Sequence, residues 1–153
     1  MRNLKKVTGV KTKGIFALVL GAVIFAGTAI AHLSCLFIGP SCYKAQLAPS
    51  EIIQSAINGT LLAPVATVFV SGLFFMCALF AISGAGFVKK LPFLHPALVV
   101  ISVLCLFRGV ATIPSSYLFP EMVSIVSILA GFIWFVVGLL YLYGYRCVRQ
   151  AST

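Results

Sequence analysis

The sequence predicts an all-α fold, a bundle of four transmembrane helices in an up-down-up-down arrangement, on two observations. Of the 153 residues 61% are hydrophobic and only 8% are charged, against about 25% charged residues in soluble domains. Four apolar segments are each long enough to cross a bilayer core of about 30 Å as a helix. Because lipid offers no hydrogen-bond partners to a bare backbone, spans of this length are helices. We therefore expect an integral membrane protein.

The four predicted spans form one transmembrane domain, residues 15–145, between two short basic tails. The spans are residues 15–38, 61–83, 96–113 and 122–145, and the tails are residues 1–14 and 146–153. Small residues recur within the spans, and small residues let membrane helices approach closely. With short connections between the spans, consecutive helices are expected to pack antiparallel. We expect the N-terminal tail to be flexible.

The positively charged residues are distributed unequally between the two predicted sides of the membrane. Nine of the 11 Lys and Arg residues lie in the N-terminal tail, the connection between the second and third spans, and the C-terminal tail, whereas only Lys44 lies on the opposite side. By the positive-inside rule both termini are expected to be cytoplasmic, and the loops 39–60 and 114–121 external. The net charge of +9 therefore indicates orientation rather than a nucleic-acid partner.

The first external loop is predicted to contain a short amphipathic helix that lies on the membrane surface. Pro49 and Ser50 are a helix start, with Ser50 as N-cap and Glu51 close to the positive end of the helix. Apolar residues then recur on one face, which is typical of an interfacial helix. Pro114 and Pro120 are expected to bracket the second external loop.

The few polar residues near the external side form the candidate site. Arginine at the centre of a bilayer costs about 2.5 to 3.5 kcal/mol, so Arg108 should face the bundle interior or water and pair with another group. The topology brings it close to His32 and to Glu51 and Glu121, which are the two acids of the chain. We favour an architectural ion pair of Arg108 with one of these acids. The alternative is a shallow anion or partner site of Arg108, Lys44 and His32 that holds a phosphate or carboxylate.

The external side also carries two cysteines, Cys35 and Cys42, separated by a Gly-Pro turn. They could form a disulfide if that side is oxidising, or remain free apolar cysteines. A disulfide-generating membrane enzyme would need a closely spaced CxxC motif and a quinone site, and neither can be identified in the sequence.

Other catalytic and metal chemistry lacks the necessary residues. The chain contains no Asp, and its two acids lie on separate loops, which excludes a Ser-His-Asp triad and paired-Asp hydrolysis. His32 and His95 lie at opposite ends of the bundle and cannot share a metal ion. We therefore predict no catalytic residue, no metal site and no cofactor.

One stretch resembles a known group of proteins. The hairpin Ala81-Ile82-Ser83-Gly84-Ala85-Gly86-Phe87-Val88-Lys89-Lys90-Leu91-Pro92, followed by Arg108-Gly109 in the third span, is similar to a motif of small four-span bacterial inner-membrane proteins of unassigned function. The external loop, with Gly39-Pro40, Tyr43 and Glu51, resembles theirs as well. The similarity covers most of residues 30–114. It implies a location in a bacterial inner membrane and supplies no activity, and Cys35 and Cys42 depart from the pattern of the group.

The function predicted from the sequence is that of a non-enzymatic accessory subunit, or a module that binds lipid or a partner, with an external polar cluster. Its expected partners are membrane lipids and another membrane subunit or a second copy of the chain. A small oligomeric transporter is the alternative, although the second and fourth spans carry no ionisable group for proton coupling. A membrane thiol oxidoreductase that uses Cys35 and Cys42 is the third hypothesis.

Overall fold

The computed structural model describes residues 2–118 and 125–150, with side chains from residue 12 onward except at residue 116. The helices are α1 (Arg2–Ile38), α2 (Pro40–Ala45), α3 (Ser50–Ile57), α4 (Leu62–Ala85), α5 (Leu94–Leu118) and α6 (Ile125–Gln150). No strand occurs among these residues, and the predicted class, an all-α four-helix transmembrane bundle, is confirmed.

Four of the helices are long and apolar enough to cross a membrane. Their candidate spans are Thr12–Ile38, Leu62–Ala85, Leu94–Ser115 and Ile125–Gln150. Large apolar side chains are exposed on them, among them Phe16, Phe107 and Phe132. An apolar outer surface of this kind is the one that acyl chains contact, so the protein is an integral membrane protein.

Two boundaries differ from those predicted. α1 begins at Arg2, so the basic N-terminal segment is helical from residue 2 rather than an irregular tail. α5 continues through Pro114 to Leu118, so the loop that was predicted to be the second external one does not begin at residue 114. Proline removes one backbone donor, but the hydroxyl of Ser115 donates to the carbonyl of Ala111 at 2.7 Å and gives the turn another hydrogen bond. Glu121 and the predicted end of this loop lie outside the described residues.

The loop between α1 and α4 contains two helices instead of the one predicted. α2 is additional, and Pro40 at its first turn costs no hydrogen bond because the first helical N–H groups have no partner within the helix. α3 matches the predicted amphipathic helix. Ser50 is its first helical residue and not its N-cap; Pro49 holds that position, with an extended ψ of 150°, and its carbonyl accepts from Ile52 and Ile53.

The chain divides into two compact units, whose boundaries fall inside α1 and inside α4. The first unit is Val23–Ala78 and contains the end of α1, the whole of α2 and α3, and most of α4. Its core is formed by Cys35, Tyr43 and Ala63, against which apolar residues of α2 and α3 pack. Ser55 joins α3 to α4, because its Oγ accepts from the backbone N–H of Ala63 at 2.8 Å.

The second unit comprises the residues up to Ala22 and those from Leu79 onward. Within it α6 packs antiparallel to α5 on one face and to the start of α1 on another. The approach to α5 is close: a Cβ on Gly138 would lie 2.7 Å from Leu106 Cγ, and the hydroxyl of Ser102 donates to the carbonyl of Gly138 at 2.8 Å. Toward α1, a Cβ on Gly21 would lie 2.6 Å from the ring of Tyr141.

The hairpin between α4 and α5, which carries the motif Ser83-Gly84-Ala85-Gly86, is held by Ser83. This buried side chain donates to the carbonyl of Lys89 at 3.0 Å and accepts from the backbone N–H of Leu91 at 3.1 Å. Gly84 packs closely, since a Cβ there would lie 3.0 Å from Leu98 Cδ1. In this chain the motif therefore has a packing role.

We expect Ser83→Ala to lower the free energy of unfolding by about 1 to 3 kcal/mol, because both backbone groups of the hairpin lose their partner. Ser115→Ala is the control, since that hydroxyl bonds within its own helix; its loss should cost less, about 0.5 to 1 kcal/mol, because one intrahelical hydrogen bond is removed. Denaturant unfolding in detergent measures both. Equal effects of the two variants would contradict the role of Ser83.

Candidate functional site

The residues predicted to form one external cluster are divided between the two units. His32, Lys44 and Glu51 belong to Val23–Ala78, whereas Arg108 lies on α5 in the other unit. Lys44 and Glu51 are exposed, and His32 is half-buried. Glu121 lies outside the described residues, so the predicted ion pair of Arg108 and the joint anion site remain predictions.

Arg108 is an exposed cation on an otherwise apolar helix. It lies seven positions before Ser115, where the apolar span ends, which corresponds to a depth of about 10 Å along a helix. At this depth a long arginine side chain can extend toward the head-group region, with its methylene groups in hydrocarbon and its guanidinium at the interface.

Directly beside Arg108 in sequence, Gly109 lines a groove of 400 Å³ between α5 and α6. The other lining residues include Val110, Thr112 and Tyr117 on α5 and Gly131, Phe132 and Phe135 on α6. The groove depends on the close approach of the two helices, since a Cβ on Gly109 would lie 2.9 Å from the carbonyl oxygen of Gly131.

The walls of this groove are apolar apart from two hydroxyl groups. That of Thr112 is already used, because it donates to the backbone carbonyl of Arg108 at 3.1 Å. Tyr117 is exposed near the end of α5. The groove suits an apolar chain. Arg108 is not among its lining residues and is linked to it only through Gly109, the next residue in sequence.

A second cavity, of 220 Å³, lies within the unit Val23–Ala78. Four of its lining residues carry polar side chains, and the others are apolar. The polar residues are His32, Tyr43, Gln46 and Thr67, and the apolar ones include Leu47, Pro49, Ile52 and Val70. Of these lining residues, only His32 is a site candidate from the sequence.

Three tethers hold α2 over this cavity. Cys35 and Cys42 are joined by a disulfide, with their Cα atoms 5.1 Å apart. The amide nitrogen Nε2 of Gln46 donates to the carbonyl of Ala31 at 2.7 Å. The hydroxyl oxygen of Tyr43, which is buried, lies 3.1 Å from Thr67 Oγ1 on α4. No local sequence signal indicates the last two contacts, because each joins residues that are distant in the chain.

The imidazole of His32 is fixed on the other side of the cavity. Its Nδ1 lies 3.0 Å from the carbonyl oxygen of Thr28, and its ring meets Phe74 edge-on with centroids 5.2 Å apart. Among the described residues no three His, Cys, Asp or Glu side chains gather as a metal site.

Comparison with known proteins yields no relative. No protein-family model matches the chain, and neither a curated protein nor a solved structure is significantly similar to it.

Proposed function

We propose that this protein is a non-enzymatic integral membrane protein that binds an anionic phospholipid, with Arg108 at the phosphate and an acyl chain in the groove between α5 and α6. The supporting observation is an exposed arginine that immediately precedes, in sequence, the groove-lining residue Gly109. Lipid phosphate satisfies a guanidinium with charge-assisted hydrogen bonds, and the groove would bury the chain of the same molecule.

We also propose a bacterial inner-membrane location with both termini in the cytoplasm, in keeping with the positive-inside count and the resemblance to small four-span inner-membrane proteins. In this orientation α5 runs outward, and Arg108 extends to the external leaflet. A bound lipid would make the protein an accessory or lipid-binding module; contributions of Lys44 and His32 to the same anion site remain predictions.

Native mass spectrometry of the detergent-solubilised protein with added lipid tests the role of the charge. We expect phosphatidylglycerol to be retained in preference to phosphatidylcholine, and Arg108→Gln to remove this preference while Arg108→Lys keeps part of it. The control is Lys89→Gln, an exposed cation on the hairpin between α4 and α5. If Arg108→Gln binds both lipids as the wild type does, the proposal is wrong.

The groove is tested by a pair of tryptophan variants on α5. Val110 lines the groove and is 51% exposed, whereas Val103 lies two turns earlier, is 57% exposed and is not part of the lining. Val110→Trp should fill the groove and lower lipid retention by about tenfold, the equivalent of about 1.4 kcal/mol. Val103→Trp should leave retention unchanged. Equal retention by the two variants would place the lipid elsewhere.

A further inference from the structure

The number of protons on the polar side chains of the cavity beneath α2 determines whether these side chains can donate a hydrogen bond to a ligand or accept one from it. Thr67 Oγ1 lies 2.7 Å from the carbonyl oxygen of Ala63 and 3.1 Å from the hydroxyl oxygen of Tyr43. A hydroxyl has one proton, and a carbonyl can only accept. The shorter contact therefore takes the proton of Thr67, and the hydroxyl of Tyr43 donates to Thr67 Oγ1. The oxygen of Tyr43 keeps its lone pairs.

The amide of Gln46 has also used its donors. Its Nε2 donates to the carbonyl of Ala31 at 2.7 Å and contacts Cys42 Sγ at 3.5 Å. Because a carbonyl oxygen faces the amide, the nitrogen must be on that side, and this fixes the orientation of the side chain. The amide oxygen Oε1 is the group of Gln46 that remains available to a ligand, and it can only accept a hydrogen bond.

The same reasoning applies to His32. Its Nδ1 faces the carbonyl oxygen of Thr28 and must therefore carry a proton. In the neutral ring this leaves Nε2 as an acceptor. Every polar side chain that lines the cavity has thus directed its protons to protein acceptors, and what it can still offer a ligand is lone pairs.

We propose that this cavity binds the hydroxyl group of an uncharged amphiphile, a lipid alcohol whose O–H donates to these acceptors and whose apolar body contacts Leu47, Ile52 and Val70. A ligand that can only accept, such as an ether or an ester, finds no donor there. A primary ammonium group would donate, but no carboxylate lines the cavity and the desolvated charge would lack a counter-ion. This site lies in the unit Val23–Ala78 and does not depend on the proposed phospholipid site at Arg108.

Photolabelling in lipid nanodiscs tests the proposal with two probes, the second of which has a methyl group in place of the hydroxyl hydrogen of the first. The first is a long-chain primary alcohol that carries a diazirine beside the hydroxyl end, and the second is its methyl ether. We expect the alcohol to label the peptides of residues 31–52 at least about fivefold more than the ether, which corresponds to one net hydrogen bond. Equal labelling by the two probes would overturn the proposal.

Thr67→Val provides a sharper test, because it removes the acceptor of Tyr43 without changing the size of the side chain. The hydroxyl of Tyr43 then has a free proton, and we expect the ether probe to gain labelling so that the ratio of alcohol to ether falls toward one. The control is Thr28→Val, since the hydroxyl of Thr28 bonds only within α1, to Ile24 at 2.9 Å, and the carbonyl that holds His32 is retained. An unchanged ratio in Thr67→Val, with the fold intact by thermal denaturation, would contradict the proton count. Arg108→Gln should leave this ratio unchanged, which separates the present site from the phospholipid site.

Discussion

Replacing Gly109 by alanine is expected to lower the free energy of unfolding by about 3 kcal/mol or more, which is the range of severe overpacking. A Cβ at this position would lie 2.6 Å from Phe135 Cβ and 2.9 Å from both Phe135 Cα and the carbonyl oxygen of Gly131. Two of these three atoms belong to the backbone, so a change of rotamer cannot relieve the contact and α5 must move away from α6. The groove beside Arg108 would change shape, and lipid retention should fall with stability.

The matched control is Gly72→Ala on α4. A Cβ on Gly72 would meet nothing within 4 Å, so this variant should be neutral or stabilised by up to about 1 kcal/mol through helix propensity. Denaturant unfolding in detergent measures both variants. If they behave alike, the close approach of α5 and α6 contributes little to stability.

Removal of the disulfide is the second change with a large expected effect. The bond joins Cys35 and Cys42, which are 7 positions apart in sequence, and closing a loop of this length restricts the unfolded chain by about 2.5 kcal/mol. Cys35→Ser/Cys42→Ser should therefore destabilise the unit Val23–Ala78 by about this amount. Because α2 loses one of its three tethers, Tyr43 and Gln46 should also be held less firmly, and labelling by the alcohol probe should fall.

The control for this experiment is Cys105→Ala, which removes a buried cysteine of α5 that is not part of the disulfide and belongs to the other unit. It should leave alcohol labelling unchanged. A reducing agent should lower the stability and the alcohol labelling of the wild type as the double substitution does. The same treatment should not change the double variant. Wild-type labelling that is insensitive to reduction would show that the bond does not position the cavity.

The membrane spans could be predicted from the sequence because hydropathy is a property of each residue in turn. The loop helix α3 was predictable for a similar reason, since its apolar residues recur with helical period. α2 was not predicted, because six residues beginning with proline give no periodic signal. Its position is set by tethers to Ala31 and Thr67, and contacts between distant residues cannot be derived from a local pattern.

The candidate sites were predictable only in part. The sequence identified Arg108 and His32 because an ionisable group within a span is unusual. It predicted that Arg108 faces the bundle interior or water, whereas the side chain is exposed on α5. A span that is apolar on all sides has no polar stripe from which the face of one residue can be inferred. Nor could the sequence indicate the groove, which results from Gly109 and Gly131 facing each other across two helices.

The division of the chain has a consequence for the order in which the protein forms during synthesis. Val23–Ala78 is continuous in sequence, so its disulfide loop and cavity can assemble before α5 has been made. The other unit needs α6, which provides the packing partner for both α5 and the start of α1. Until α6 enters the membrane, the glycine faces of these two helices lack the packing partner that they have in the complete chain.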